Sequence, residues 1–296
     1  MNHYSYLDDF SCERTERTLS TAKQDAANHA AHLKDNPQMQ SSAYRLAYHD
    51  FDFMIRDELR PVRLQLELLK PELTLIEHGI EATVVIFGSA RTVDAETAQN
   101  LLRVAEQTLD ENPNDAETQR AFHCAKKAVE KSHYYEQARQ LASLITESNS
   151  KQHPLVVITG GGGGIMEGAN RGAFEAGGKS MGFNIVLPIE QIPNRYITPE
   201  LCFQFHYFAI RKMHLLMRAK ALVAFPGGFG TLDELFEALT LIQTKKMRRI
   251  PIILFGKNYW QRVINFDVLV EEGAISLDDL ALIQYAETAE EAWALI

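Results

Sequence analysis

The chain has 296 residues, of which 46% are hydrophobic and 23% charged, and carries a net charge of −9 at neutral pH. That length suits one large α/β domain or a domain with an appendage. The acidic balance argues against a bulk binder of nucleic acid or of an anionic membrane, but not against a small anion held at a locally positive site. Three scattered cysteines, Cys12, Cys124 and Cys202, form no CxxC pair, and an odd number closes no disulfide set. They read as reduced thiols of a cytoplasmic protein. The opening residues lack an apolar leader core, and no apolar run is long enough to span a bilayer.

From Met1 to about Met39 the sequence is polar. Between residues 41 and 79, apolar residues recur at helical spacing: Tyr44, Leu46, Ala47, Phe51, Met54 and Ile55, then Leu64, Leu68 and Leu69. Pro61 and Pro71 each sit where a new helix can begin, and Gly79 is a stop signal. Residues 1–79 therefore read as a helical extension that caps the main domain or meets a partner subunit.

From residue 80 onward the pattern becomes strand, turn, helix, repeatedly. Strands are expected at 83–87 (TVVIF), 155–159 (LVVIT), 180–187, 201–207, 221–225 (ALVAF), 251–255 (PIILF) and 282–285. Continuous apolar strands separated by helices predict a parallel sheet buried on both faces. Right-handed crossovers make it a doubly wound, Rossmann-like α/β sheet over residues 80–296. Two helical stretches, about 95–109 and 116–132, are joined by the turn signal DENPND and read as a helical insertion at about 92–132.

Ligands of such sheets bind beyond the carboxyl ends of the strands. Three strand ends here carry unusual loops: Gly88-Ser89-Ala90-Arg91, the run Gly160-Gly161-Gly162-Gly163-Gly164, and Pro226-Gly227-Gly228-Phe229-Gly230-Thr231. In the third, the glycines permit a tight turn and let N–H groups approach an anion. Thr231 can cap the following helix or donate its hydroxyl to a phosphate oxygen. The positive end of the helix dipole favours a phosphate there. The plainer reading is a tight turn whose acids, Asp233 and Glu234, support a helix start. Five consecutive glycines cost folding entropy, which a close ligand approach explains better than conformation alone. Met166 either touches a base or packs in the core, and Glu167 either faces the ligand or complements a helix dipole.

Several tempting motifs fail. Residues 172–180 resemble a P-loop, but Gly178 intrudes before Lys179, and the segment precedes a strand where a P-loop must follow one. A dinucleotide fingerprint breaks at Ile165 and at Ala90. Lys245, Lys246, Arg248 and Arg249 read as a solvated helix end. The ten histidines show no metal-ligand spacing, so no metal is expected. No GxSxG elbow or Cys–His signature occurs.

The segments GSAR, GGGGGIMEGANRGA, GFNIVLP, FAIRKMHLL and PGGFGTLDE, in that order, resemble the LOG (“lonely guy”) family. Its members are cytokinin riboside 5′-monophosphate phosphoribohydrolases, many also AMP nucleosidases, some formerly labelled possible lysine decarboxylases. The resemblance covers about residues 84–266 apart from the insertion. It implies that Arg211 and Glu234 are catalytic and that Gly227, Gly228, Phe229, Gly230 and Thr231 hold the phosphate. It further implies that Ser89, Arg91 and Gly160–Gly164 form the other walls of the nucleotide site, for which Met166, Glu167 and Lys212 are additional candidates. Gly163 stands where relatives often have Pro.

The resemblance implies hydrolysis of the N-glycosidic bond of a nucleoside 5′-monophosphate, without cofactor, in a homodimer or larger assembly. Departure of the base leaves an oxocarbenium-like ribose, which a carboxylate can stabilise or supply with water. Glu234 is the candidate carboxylate, and Arg211 stabilises either the phosphate or the leaving base. A non-catalytic nucleotide sensor would use the same cradle without turnover. A pyridoxal-dependent decarboxylase would need a Schiff-base lysine, and nothing marks Lys212 or Lys220 as one.

Overall fold

The computed structural model describes residues 19–31, 36–148, 154–188 and 192–296. Cys12 and most of the polar opening stretch lie outside them. The chain divides into two compact units, Met1–Gln65 and Leu66–Ile296.

The first unit contains helix α1 (Ala22–Ala31) and the single turns α2 (Pro37–Gln40) and α3 (Phe51–Met54), with short 3-10 turns among them. Asn36 and Asp50 cap α2 and α3, their side chains accepting from the N–H groups of Met39 and Phe53. The helical periodicity of residues 41–55 therefore resolves into isolated turns, because extended residues at Ser41, Arg45 and Leu46 interrupt it. Helix α4 (Arg60–Glu77) begins in this unit and ends in the second. Pro61 lies in its first turn. Pro71 does not start a new helix, as its type suggested, but sits inside α4. Its missing N–H costs one bond to the Glu67 carbonyl. Burial of Pro71 and Leu75 on the inward face offsets that loss.

The second unit is built on seven strands: β1 (Ala82–Phe87), β2 (Leu155–Thr159), β3 (Ser180–Ile185), β4 (Cys202–Phe205), β5 (Ala219–Ala224), β6 (Ile252–Phe255) and β7 (Ile283–Ala286). All pair in parallel, in the order β4-β3-β2-β1-β5-β6-β7. Side-chain alternation divides the core. Val85 and Phe87 face one layer, where Leu75 of α4 packs with α8 (Phe208–Met217), α9 (Phe229–Gln243), α10 (Lys257–Val263) and α11 (Phe266–Glu271). Val84 and Ile86 face the other, with α6 (Ala116–Glu147), α7 (Ile165–Glu175) and α12 (Ala289–Leu295). Burial on both faces explains why the central strands are apolar throughout rather than alternating.

Between β1 and β2 lie helix α5 (Ala95–Glu111) and α6, each capped by an aspartate, Asp94 and Asp115. Helix α6 does not stop near residue 132 but runs on to Glu147. Its first half packs on α5. Its second half buries Ala138, Leu141, Ala142 and Ile145 on the sheet and is itself the crossover from β1 to β2. The strand order reverses between β1 and β5, so the loops that follow these two strands flank the topological switch point.

Candidate active site

The three glycine-bearing loops are bonded to one another. Ser89 N–H donates to the Pro226 carbonyl at 3.0 Å, and the Ser89 carbonyl accepts from Ile165 N–H at 3.1 Å. The GSAR loop thus ties the five-glycine loop to the PGGFGT turn. Gly164 has φ +69°, and a Cβ there would collide with Ser89 and Ala90. A Cβ on Gly227 would collide with the side chain of Thr231.

A buried polar network fixes the five-glycine loop from beneath. Thr159 Oγ1 donates to Asn170 Oδ1 at 2.7 Å and accepts from Gly161 N–H at 2.9 Å. Asn194 Nδ2 donates to the Gly162 carbonyl and to Asn170 Oδ1, both at 2.9 Å. Sequence reading missed both asparagines. Asn170 leaves a trace, a fully buried amide among the alanines and glycines of α7. Asn194 lies in a polar loop and leaves none.

On the PGGFGT turn, Gly228 is the N-cap residue of α9 and supplies no side-chain bond. Thr231 is therefore not the cap. It sits inside the helix, buried, with its N–H donating to the Gly228 carbonyl at 3.0 Å. The N–H groups of Phe229 and Gly230 have no intrahelical acceptor. Apart from its chain neighbours and the backbone of its own helix, a Cβ built on Gly228 or on Gly230 has no protein atom within 4 Å. Open donors at the positive end of a helix suit an anion. Tyr259 Oη donates to the Gly227 carbonyl at 2.5 Å and braces the turn from α10.

Beside this turn, Arg211 on α8 meets Glu234 on α9, Nη2 to Oε1 at 2.9 Å. Glu234 is 3% exposed and Arg211 12% at the side chain. Because α9 begins at Phe229, Glu234 lies in its second turn, beyond the range where an acid serves the helix dipole. Burial pushes the Glu234 carboxyl up to about 7, against the opposing pull of Arg211 and Lys212. The guanidinium of Arg211 lies beside Gly160 and over the Phe208 ring, 5.2 Å from its centroid. Its Nε is buried with no hydrogen-bond partner.

The other expected residues divide into two groups. Ser89 and Arg91 line a cavity of about 1030 Å³ on the α5–α6 side of the turn, along with Leu101, Cys124, Gly228 and Tyr259. Neither Arg211 nor Glu234 lines it. Met166 is buried against Gly160 as packing. Glu167 accepts from Tyr135 Oη at 3.1 Å. Lys212 Nζ holds Asp233 at 2.8 Å and Glu237 at 2.7 Å. Among the described residues no cluster of metal-ligating side chains occurs, and no helix is long and apolar enough to cross a membrane.

The sheet and the loops at its switch point define a Rossmann-like α/β protein with an anion-compatible helix end. Residues 166–296 match the family described as “Possible lysine decarboxylase”. The chain is 31% identical over 172 residues to cytokinin riboside 5′-monophosphate phosphoribohydrolase LOG7 of Arabidopsis thaliana, spanning 57% of this chain and 76% of that one. It is 30% identical over 173 residues to LOG1 of the same plant, spanning 57% and 77%. Among solved structures it is similar to a Moco carrier protein from Chlamydomonas reinhardtii, with 19% identity, TM-score 0.41, and 72% and 94% of the two chains covered. The chain belongs to the LOG family.

Proposed function

We propose that the chain hydrolyses the N-glycosidic bond of a nucleoside 5′-monophosphate, AMP or a cytokinin riboside 5′-monophosphate, to free base and ribose 5-phosphate. The observation that carries this reading is the buried Arg211–Glu234 pair, set less than two helical turns from the open N–H groups of Phe229 and Gly230. A 5′-phosphate on those donors brings the ribose to Glu234. As the C1′–N bond breaks, its electrons leave with the base, and the carboxylate stabilises the cationic sugar. Water then adds to C1′, and the proton it gives up goes to the nitrogen of the departed base, which completes the free base and ribose 5-phosphate. The unpartnered Nε of Arg211 shows that the guanidinium keeps donor capacity beyond its bond to Glu234.

The names of the plant relatives support this reaction over a decarboxylation. So does the state of Lys212. Burial alone would lower its affinity for a proton, but its bonds to Asp233 and Glu237 raise it, whereas a Schiff-base lysine must lose its proton. Incubation of pure protein with AMP, without added metal, tests the reading. Adenine and ribose 5-phosphate are expected, with adenosine a poor substrate because it lacks the anchoring anion. Binding of AMP without product would assign the protein as a nucleotide sensor instead, and equal turnover of adenosine would remove the phosphate-anchoring argument.

A further inference from the structure

Arg211 lies on a helix whose two ends are both held by α4, a segment N-terminal to every motif of the site. At the first end, Glu67 accepts from His206 N–H through Oε1 at 2.7 Å and from Tyr207 N–H through Oε2 at 3.1 Å. Tyr207 is the N-cap residue of α8 and makes no side-chain cap of its own. Glu67 thus anchors the backbone at the start of the helix from a distance, placing a carboxylate at the positive end of the helix dipole. At the other end, Arg218, the C-cap residue, forms a two-pronged pair with Glu72, both bonds at 2.7 Å, and its Nε donates to the Ile80 carbonyl at 3.0 Å. Glu67 and Glu72 lie five residues apart on α4 and so grip α8 at both of its termini.

We propose that Glu67 is a positioning residue for Arg211, acting by fixing the first turn of α8. Arg211 N–H bonds to the Tyr207 carbonyl at 3.2 Å, so the residue Glu67 holds is the one on which the Arg211 turn closes. The guanidinium reaches Glu234 across the gap between two helices, and a small rotation of the α8 start carries through the whole side chain. The Glu67 carboxylate bonds to His206 and Tyr207, not to the phosphate turn. The catalytic half of this inference rests on the proposed reaction at Arg211 and Glu234.

Two variants test it, Glu67→Ala and Glu67→Gln, compared with wild type by steady-state kinetics on AMP, by AMP calorimetry for binding stoichiometry, and by NMR titration of the Glu234 carboxyl. In Glu67→Ala we expect kcat to fall about 10-fold or more, the scale of a misplaced catalytic group, with KM for AMP within about threefold. Glu67→Gln keeps one acceptor oxygen and should recover part of that loss. Glu234 should titrate at higher pH in Glu67→Ala, because Arg211 no longer faces it as closely. A fall in kcat matched by an equal fall in binding stoichiometry, or an unchanged Glu234 titration with kcat within twofold, would overturn the proposal. Should Glu67→Ala fail to fold, Glu67→Gln carries the same comparison. If wild type binds AMP without cleaving it, the proposed reaction fails while the Glu234 titration still decides whether Glu67 positions Arg211.

Discussion

Arg211 Nη2 stands 2.9 Å from Glu234 Oε1, although the two residues are separated by 23 positions and belong to different helices. Helix α8 follows β4 at the edge of the sheet, and α9 follows β5, next to the central strand β1. The pair forms because both helices pack in the same layer, with Leu215 of α8 and Leu235 of α9 buried in one core. It is the only acid–base contact among the described residues that joins α8 to the second turn of α9 with both side chains largely buried.

Replacing Glu234 separates chemistry from binding. Glu234→Gln keeps shape and some hydrogen bonding but removes the charge that matters most once the ribose becomes cationic. Turnover of AMP should fall roughly 10²-fold or more, the scale of losing one electrostatic stabiliser. AMP affinity, read by calorimetry, should change far less. Near-normal turnover would show that Glu234 has only a packing role.

The same carboxyl sets a pH dependence. Because its folded-state value is raised to about 7, Glu234 is a poor carboxylate below that pH, so kcat should decline as pH falls through about 7 and this limb should vanish in Glu234→Gln. Stability runs the other way. A raised acid favours the folded state fully below its unfolded value near 4.5, and that contribution is lost as pH rises through about 7. The loss is about 3 kcal/mol as an upper figure. Thermal melts of wild type and Glu234→Gln should therefore diverge in favour of the variant between about pH 4.5 and 7 and run parallel above. Melts with a constant offset would contradict the raised value.

Two glycines of one turn should respond differently to alanine. At Gly230 an added Cβ meets no protein atom within 4 Å beyond its chain neighbours and the backbone of its own helix, and the residue lies within α9. Gly230→Ala should fold as well as wild type or gain up to about 1 kcal/mol. It should still weaken AMP binding, because in the proposed binding mode the methyl enters the space of the phosphate. At Gly227 the Cβ strikes Thr231 and the GSAR loop, so Gly227→Ala should lower the melting temperature itself. Unchanged AMP affinity in Gly230→Ala would show that the phosphate lies elsewhere.

Assembly is testable on α4. Leu66, Leu69, Leu73 and Ile76 are exposed there, at successive spacings of three, four and three residues, the spacing of a two-helix seam. We expect at least a homodimer, with lysine at both Leu69 and Leu73 shifting it toward monomer. A monomer mass by light scattering that does not vary with concentration would contradict this.

Much of the molecule was legible in the sequence because its signals are local. Apolar, β-branched runs such as LVVIT and PIILF, each followed by a glycine, read as strands buried on both faces, and each glycine-rich loop stood directly after such a run. Helix limits were less legible. Pro71 reads as a start because proline costs an intrahelical bond, and only its buried face shows why α4 continues through it. Thr231 reads as a cap by type, but the turn places Gly228 at the boundary instead. The support of the site was not legible at all. Asn194 beneath the glycine loop and Glu67 at the start of α8 act on backbone atoms far away in sequence, and a backbone N–H or carbonyl carries no residue-type signature. The sequence by itself determined the strands, the loops and the residue types that can hold a phosphate. Only the tertiary structure decided which of them meet, because strand order and helix packing, not spacing, bring Arg211 against Glu234 and bury both enough to move a carboxyl toward neutrality.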